Sequence, residues 1–152
     1  MMQTLLIKNG QIVDGTGTPA FAGHVLIGDD RIISVVHAEE PCLPADTVID
    51  VQGLAVAPGF IDMHSHTDWV LPREDHELAM KCLPEQGITT VVGGNCGFSP
   101  APVSEKMRAI LGMPHFKLLN DRPLDYGWSS FHDFLDRTAE ARPIVNAAHQ
   151  VG

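Results

Sequence analysis

The chain has 152 residues, of which 44% are hydrophobic and 19% are charged. This composition is typical of a globular protein and excludes a disordered, collagen-like or coiled-coil chain. Acidic residues outnumber basic ones by 19 to 10, which gives a formal net charge of −9, and no cluster of Lys and Arg could neutralise a row of phosphates. We therefore expect neither nucleic acid nor a membrane surface as a partner.

The cysteines indicate a reducing environment. Cys42, Cys82 and Cys96 are odd in number and widely spaced, so they do not suggest a disulfide framework. The first ten residues contain a short apolar patch and a lone lysine, without the longer apolar core of a signal peptide. A cytoplasmic location is the resulting expectation. Cys42 and Cys82 are predicted to be small buried side chains.

The first 56 residues predict β-hairpins, because short apolar runs alternate with turn residues. Asn9-Gly10 separates residues 5–7 from 11–13, and both turn residues tolerate a positive φ. A second pair, 25–27 and 32–36, is separated by residues 28–31. A third pair, 48–51 and 54–56, is separated by Gln52-Gly53. The pattern predicts a small antiparallel β layer that ends near residue 57.

From residue 57 onward the pattern predicts strands that alternate with helices. A short strand at 60–62 precedes a helix at 75–85, in which Pro84 should cause a kink or an end. Residues 88–92 are uncharged and rich in β-branched side chains, as in a strand buried on both faces of a parallel sheet. The remaining predicted elements are a helix at 104–111, a capping box from Ser130 to Asp133 that begins a helix to about residue 141, and a strand at 143–148.

The strongest chemical signal is the segment DMHSHTD at residues 62–68, directly after the short strand. Side chains alternate along an extended chain, so His64 and His66 point the same way. Two such imidazoles can hold one metal ion, with zinc–nitrogen bonds of about 2.0–2.1 Å. The alternative is a pair of surface loop histidines, in a chain that contains 8 His. His149, after the last predicted strand, is predicted to be an ordinary buried residue, and the other histidines to be solvated or partly packed.

A second signal, GGNCG at residues 93–97, follows the next predicted strand. The C-terminal ends of neighbouring parallel strands lie at the same edge of a sheet, about 5 Å apart, so Cys96 can approach the histidine pair. Thiolate is a common zinc ligand. The flanking glycines suit close approach of the backbone to another group. A small buried cysteine is the alternative for Cys96 taken alone, but the nearby histidine pair favours the ligand.

These segments resemble the metal-dependent amidohydrolase superfamily. APGFIDMHSH at 57–66 looks like its first barrel strand, and Gly10 with IVDG at 12–15 looks like its N-terminal hairpin. HTD at 66–68, QGITTVV at 86–92 and GNCGFSPAP at 94–102 resemble the N-acyl-D-amino-acid deacylases, or D-aminoacylases. The similarity continues through WSSF at 128–131, FLD at 134–136 and residues 143–152. The Asn-Cys-Gly element is the most specific of these matches.

The resemblance implies an α/β fold in which residues 1–56 form a β-sandwich segment and residues 57–152 form the first three strand–helix units of a (β/α)₈ barrel. It implies one or two zinc ions, with His64 and His66 at one position and Cys96 at the other or bridging both. The reaction would be removal of the acyl group from small N-acyl-D-amino acids. Asp62 would orient the end of its strand. Asp68 would either hydrogen-bond to a metal-binding histidine or cap the loop.

The family's other two metal-binding histidines and its proton-shuttling aspartate come from later strands. A complete barrel needs about 250 residues, and only three of its eight strands are predicted here. We therefore expect this chain to correspond to the N-terminal part of a longer enzyme, with no catalytic residue of its own and no activity alone. The alternatives are a cyclic-amide hydrolase of the hydantoinase or dihydroorotase kind, a non-catalytic scaffold and a self-contained metal module. A homo-oligomer is also left open.

Overall fold

The computed structural model describes residues 2–111 and 127–151. The chain divides into two compact units, Met1–Pro58 and Gly59–Gly152. Within the described ranges, no helix has both the length and the apolar character needed to cross a membrane.

The first unit is a single sheet of five strands. Its strand order is β3-β2-β1-β4, and β5 also pairs with β1. The buried apolar side chains of this sheet are Leu6, Ile12, Val25 and Leu26. The predicted hairpin around residues 28–31 is confirmed, because β2 and β3 pair antiparallel on either side of Asp29-Asp30. The strands are β1 (Thr4–Ile12), β2 (Phe21–Gly28), β3 (Arg31–His37), β4 (Thr47–Asp50) and β5 (Ala55–Val56).

The predicted hairpin at Asn9-Gly10 is wrong. β1 runs without a turn from Thr4 to Ile12, and the register against β2 shifts between Ile7 and Gly10. Asn9 has a φ of 61°, the left-handed conformation expected of a turn residue, but here that conformation forms a bulge inside one strand. The bulge directs the Asn9 N–H to Nδ1 of His24, at 3.0 Å.

The third predicted hairpin is also wrong, although its strands exist. β4 and β5 do not pair with each other; both run parallel to β1, one after the other. The Gln52-Gly53 turn lies opposite the bulge of β1, where the Gly53 N–H donates to the Asn9 carbonyl at 2.7 Å. The sheet is therefore mixed rather than antiparallel, because β4 and β5 run parallel to β1 while β2 runs antiparallel to it.

The second unit contains a three-stranded parallel sheet with β7 at its centre. All three predicted strands are present, and helices connect them as in βαβ units. The strands are β6 (Phe60–Asp62), β7 (Ile88–Gly93) and β8 (Asn146–His149), and the helices are α1 (His76–Met80), α2 (Cys82–Glu85), α3 (Glu105–Leu111) and α4 (Phe131–Glu140).

The helix predicted at 75–85 is divided into α1 and α2 at Lys81. Because a new helix begins at Cys82, Pro84 lies in a first turn, where the missing N–H of proline is tolerated. The predicted capping box of α4 is confirmed. Ser130 Oγ accepts from the Asp133 N–H and Asp133 Oδ2 accepts from the Ser130 N–H, each at 3.1 Å.

Two apolar clusters pack against this sheet and its helices. One surrounds Trp69 and Phe134, and the other surrounds Leu71 and Val91 at the centre of the sheet. Their buried members are Trp69, Ala101, Val103, Leu111, Trp128 and Phe134 in the first cluster and Leu71, Met80, Val91 and Val145 in the second.

Several predicted burial states are wrong. Cys42 and Cys82 are exposed rather than buried, since Cys42 lies in the irregular segment after β3 and Cys82 begins α2, a helix without a buried residue. His24 and His76 are buried, at 3% and 2% exposure, rather than solvated or partly packed. Both bind the backbone through Nδ1: His24 accepts from the Asn9 N–H, and His76 lies 2.7 Å from the Arg73 carbonyl.

Candidate metal centre

The two histidines follow the C-terminal end of β6. After Asp62 the chain passes through His64 and His66 into a 3₁₀ turn, Thr67–Trp69. Oδ1 of Asp62 accepts a hydrogen bond from the His64 N–H at 3.1 Å, which fixes the backbone where the strand ends. The two imidazole rings are 5.8 Å apart, edge to face, with His64 exposed and His66 partly buried.

The cysteine lies on a short loop at the C-terminal end of β7. This loop begins at Gly94 and contains a 3₁₀ turn, Asn95–Gly97. The two strand ends are joined directly, because the Ser65 N–H donates to the Val92 carbonyl at 3.0 Å. Cys96 has a φ of 59°, a left-handed conformation that is uncommon for a residue with a side chain.

The structure brings the three predicted ligands together. Nε2 of His64 lies 3.1 Å from Sγ of Cys96, and one ligand atom from each of His64, His66 and Cys96 lies within 4.8 Å of the others. A zinc ion with tetrahedral bonds of about 2.0–2.3 Å separates its ligand atoms by about 3.3–3.6 Å. The His64–Cys96 pair is slightly closer than one ion requires, and all three ligand atoms lie within 4.8 Å, so small side-chain movements would let them share an ion.

The donor set and its surroundings fit zinc. Two imidazoles and a thiolate are ligand types that zinc binds well, whereas Mg²⁺ and Ca²⁺ prefer oxygen ligands. Nδ1 of His66 is buried and has no hydrogen-bond partner among residues 2–111 and 127–151. An unpaired buried nitrogen is costly unless it binds something. The residues present thus match a metal ion at this edge of the sheet.

Asp68 lies beneath the cysteine loop. Its side chain is fully buried, and Oδ2 accepts from the Gly94 N–H at 2.9 Å. Burial raises the pKa of this carboxyl to about 6, and the hydrogen bond from Gly94 opposes that rise. Oδ1 has no hydrogen-bond partner in the described part of the chain, so the contact seen is the loop-capping one and not a bond to a histidine.

Asn95 has no predicted role, but its side chain contacts both the segment that carries the two histidines and the end of β7, where the cysteine loop begins. Its side chain is 8% exposed, and Nδ2 donates to the Val92 carbonyl at 2.6 Å and to the Ser65 carbonyl at 3.3 Å. The signal that points to it is its place beside Cys96, in a turn where Gly94 and Cys96 both adopt a positive φ.

His149 lies at the end of β8 and pairs in register with Gly93. Both ring nitrogens are buried without a hydrogen-bond partner in the described ranges, and the ring lies edge-on to Phe134, with centroids 5.0 Å apart. Burial lowers the pKa of His149 below its ordinary value. His149 as a whole is half-buried beside Phe134 of α4, rather than the ordinary buried residue that is predicted.

The sequence matches the amidohydrolase family over residues 47–151. The chain belongs to this family. It is 38% identical over 149 residues to the D-aminoacylase of Alcaligenes xylosoxydans xylosoxydans. This match covers 97% of this chain and 28% of that protein. It is also 38% identical over 148 residues to the N-acyl-D-aspartate deacylase of the same organism, again with 97% and 28% coverage.

A solved structure gives the same result for the fold. The N-acyl-D-glutamate deacylase from Bordetella bronchiseptica, in complex with zinc and a phosphonate mimic of the tetrahedral intermediate, superposes with a TM-score of 0.78 and 32% identity, over 99% of this chain and 29% of that one. The predicted fold class, part of an amidohydrolase α/β fold, is confirmed. The chain spans just over a quarter of the length of these relatives.

Proposed function

We propose that His64, His66 and Cys96 bind one or two zinc ions, and that the natural gene product uses this centre to remove the acyl group from N-acyl-D-amino acids. The observation that carries the proposal is the approach of three zinc-type ligand atoms to within 4.8 Å of one another, although Cys96 is 30 or more positions from both histidines in sequence. The names of the deacylase relatives support the substrate class. Residues 1–56 and 57–152 are then the β-sandwich segment and the opening barrel units.

Zinc, when bound, supplies Lewis-acid chemistry for polarising an amide carbonyl and for activating water. The chain's own residues supply the setting. Cys96 contributes one negative charge and the histidines contribute neutral nitrogens. Asp62 fixes the backbone of His64 through its N–H, and Asp68 fixes the cysteine loop through the N–H of Gly94. His64 and Cys96 are exposed, so a small substrate can reach this side of the centre.

The proposal is tested on the natural gene product by zinc analysis and by hydrolysis assays. We expect bound zinc, turnover of N-acetyl-D-amino acids and little turnover of their L enantiomers. Cys96→Ser and His64→Ala should each lose most of the metal and the activity. His132→Ala is the matched control, because His132 is an exposed histidine on α4 whose side chain is 83% exposed.

Three outcomes would contradict the proposal. Turnover of hydantoins without turnover of N-acetyl-D-amino acids would assign the protein to cyclic-amide hydrolysis. Metal binding without any hydrolysis would favour a non-catalytic scaffold. Full zinc content in Cys96→Ser would remove Cys96 from the centre.

A further inference from the structure

Asn95 contacts the two segments that carry the candidate ligands. Its carboxamide reaches the carbonyl of Ser65, the residue between His64 and His66, and the carbonyl of Val92 at the end of β7. The Ser65 N–H donates to the same Val92 carbonyl. The histidine segment and the cysteine loop are therefore joined by a backbone bond and by a side chain that belongs to the neighbour of Cys96.

The cysteine loop needs such a constraint. Gly94, Cys96 and Gly97 have φ values of 78°, 59° and 71°, so three of four consecutive residues are left-handed. For Cys96 this conformation costs about 1–2 kcal/mol relative to an ordinary right-handed one. A loop with this backbone persists only where the surroundings determine it.

The loop is also fixed on two other sides. Asp68 accepts from the Gly94 N–H, and the Gln150 N–H donates to the Gly93 carbonyl at 3.0 Å. These bonds hold the beginning of the loop against the segments that follow β6 and β8. The Asn95 amide differs from them because it connects the loop to the peptide between the two histidines.

We propose that Asn95 is a positioning residue that sets the separation between the Cys96 thiol and the two imidazoles, through its hydrogen bonds to Ser65 and Val92. This inference rests on the zinc centre proposed above. Loss of a hydrogen-bond partner that orients a metal ligand typically lowers metal affinity by about 10–100-fold. If the Asn95 amide served folding alone, its loss would change the stability of the protein and leave the spectrum of a bound metal unchanged.

The test uses Co²⁺ in place of zinc in the natural gene product, since a thiolate bound to Co²⁺ gives a charge-transfer absorption that nitrogen ligands do not. Asn95→Leu keeps a similar volume and removes both donors; we expect about 10–100-fold weaker Co²⁺ binding and a weaker charge-transfer band. Asn95→Gln keeps the carboxamide and should recover part of both. Far-UV circular dichroism checks that each variant is folded.

Asn146 provides the matched control. Its Nδ2 donates to the Thr89 carbonyl at 3.1 Å, so it is another side-chain amide that connects two strands of the same sheet, near the beginning of β8 rather than at its end. Asn146→Leu should leave Co²⁺ affinity and the charge-transfer band unchanged.

The inference fails if folded Asn95→Leu binds Co²⁺ with the parent affinity and band, or if Asn146→Leu shows the same loss. If Asn95→Leu does not fold, Asn95→Ser replaces it under the same criterion. Absence of the band in the parent protein, or its persistence in Cys96→Ser, would instead contradict the zinc centre itself.

Discussion

Asn9 and Cys96 have nearly the same backbone φ, 61° and 59°, in the two different units of the chain. Asn9 forms a bulge in a strand and Cys96 lies in the loop beside two histidines. Asparagine is one of the residue types that enter this conformation at low cost, whereas cysteine is not. The positive φ therefore has a structural explanation at Asn9, whereas at Cys96 it needs a chemical one.

The sharpest test of this comparison is to replace each of the two residues with glycine, which adopts a positive φ without strain. Cys96→Gly removes a ligand, so we expect metal affinity to fall by at least about 100-fold, beyond the effect of losing a partner of a ligand. Without metal, the same variant should be as stable as the parent or more stable by up to about 1 kcal/mol, because the left-handed strain is gone.

Metal titration and urea unfolding of the natural gene product, with and without a chelator, measure both effects. Asn9→Gly is the matched variant and should change neither metal affinity nor stability by more than a few tenths of a kcal/mol. A Cys96→Gly variant that loses stability without metal would show that the thiol is retained for packing.

The second prediction separates two costs of adding a side chain in the cysteine loop: backbone strain from a positive φ, and steric overlap with a neighbouring segment. Gly94 and Gly97 both have positive φ, but a Cβ at Gly94 would overlap the Gln150 carbonyl, whereas a Cβ at Gly97 would meet nothing within 4 Å. We expect Gly94→Ala to lower the free energy of unfolding by about 3 kcal/mol or more and Gly97→Ala by about 1 kcal/mol. Equal losses in urea titrations would mean that the loop is not packed against Gln150.

The two units also differ in how much of them the sequence could predict. In the second unit, β6, β7 and β8 were predicted because short apolar or β-branched runs indicate strands locally. The burial predicted for β7 on both faces is wrong in part, since only Val91 and Gly93 of this strand are buried. His64, His66 and Cys96 were predicted to converge because parallel strands end at the same edge of a sheet. Both inferences need only local patterns and one general rule of topology.

In the first unit the same local patterns predicted the hairpin around residues 28–31 correctly and gave two wrong pairings. Asn9-Gly10 favours a positive φ in either a turn or a bulge, and the choice depends on the Gly53 N–H that meets the Asn9 carbonyl from 44 residues away. The role of Asn95 was missed for a similar reason, since its bond to Ser65 depends on the left-handed backbone on both sides of it. Contacts between distant segments decide these details.

The third prediction tests the structural explanation for Asn9. Asn9→Ala keeps a Cβ in the left-handed region and removes the side chain that donates to Asp50 Oδ2 at 2.9 Å. We expect it to lower the free energy of unfolding by about 1 kcal/mol, against a few tenths for Asn9→Gly. If alanine and glycine have the same effect in urea titrations, the bulge is not determined by the backbone preference of residue 9.

The smallest expected effect concerns one histidine of each unit, His24 in the first and His149 in the second. His24 has a backbone partner, whereas neither ring nitrogen of His149 has one in the described ranges. Burial lowers the pKa of His149 below its usual 6.5, so the folded protein binds this proton less tightly than the unfolded chain does. The resulting loss of stability is absent above about pH 6.5 and grows as the pH falls below it.

His149→Phe keeps an aromatic ring against Phe134 and removes the titrating group. The free energy of unfolding of the parent minus that of this variant should therefore decrease between pH 7.5 and pH 5.5, and taking the difference cancels the titration of all other groups. A constant difference for His149→Phe would mean that burial does not lower the pKa of His149 in the folded protein.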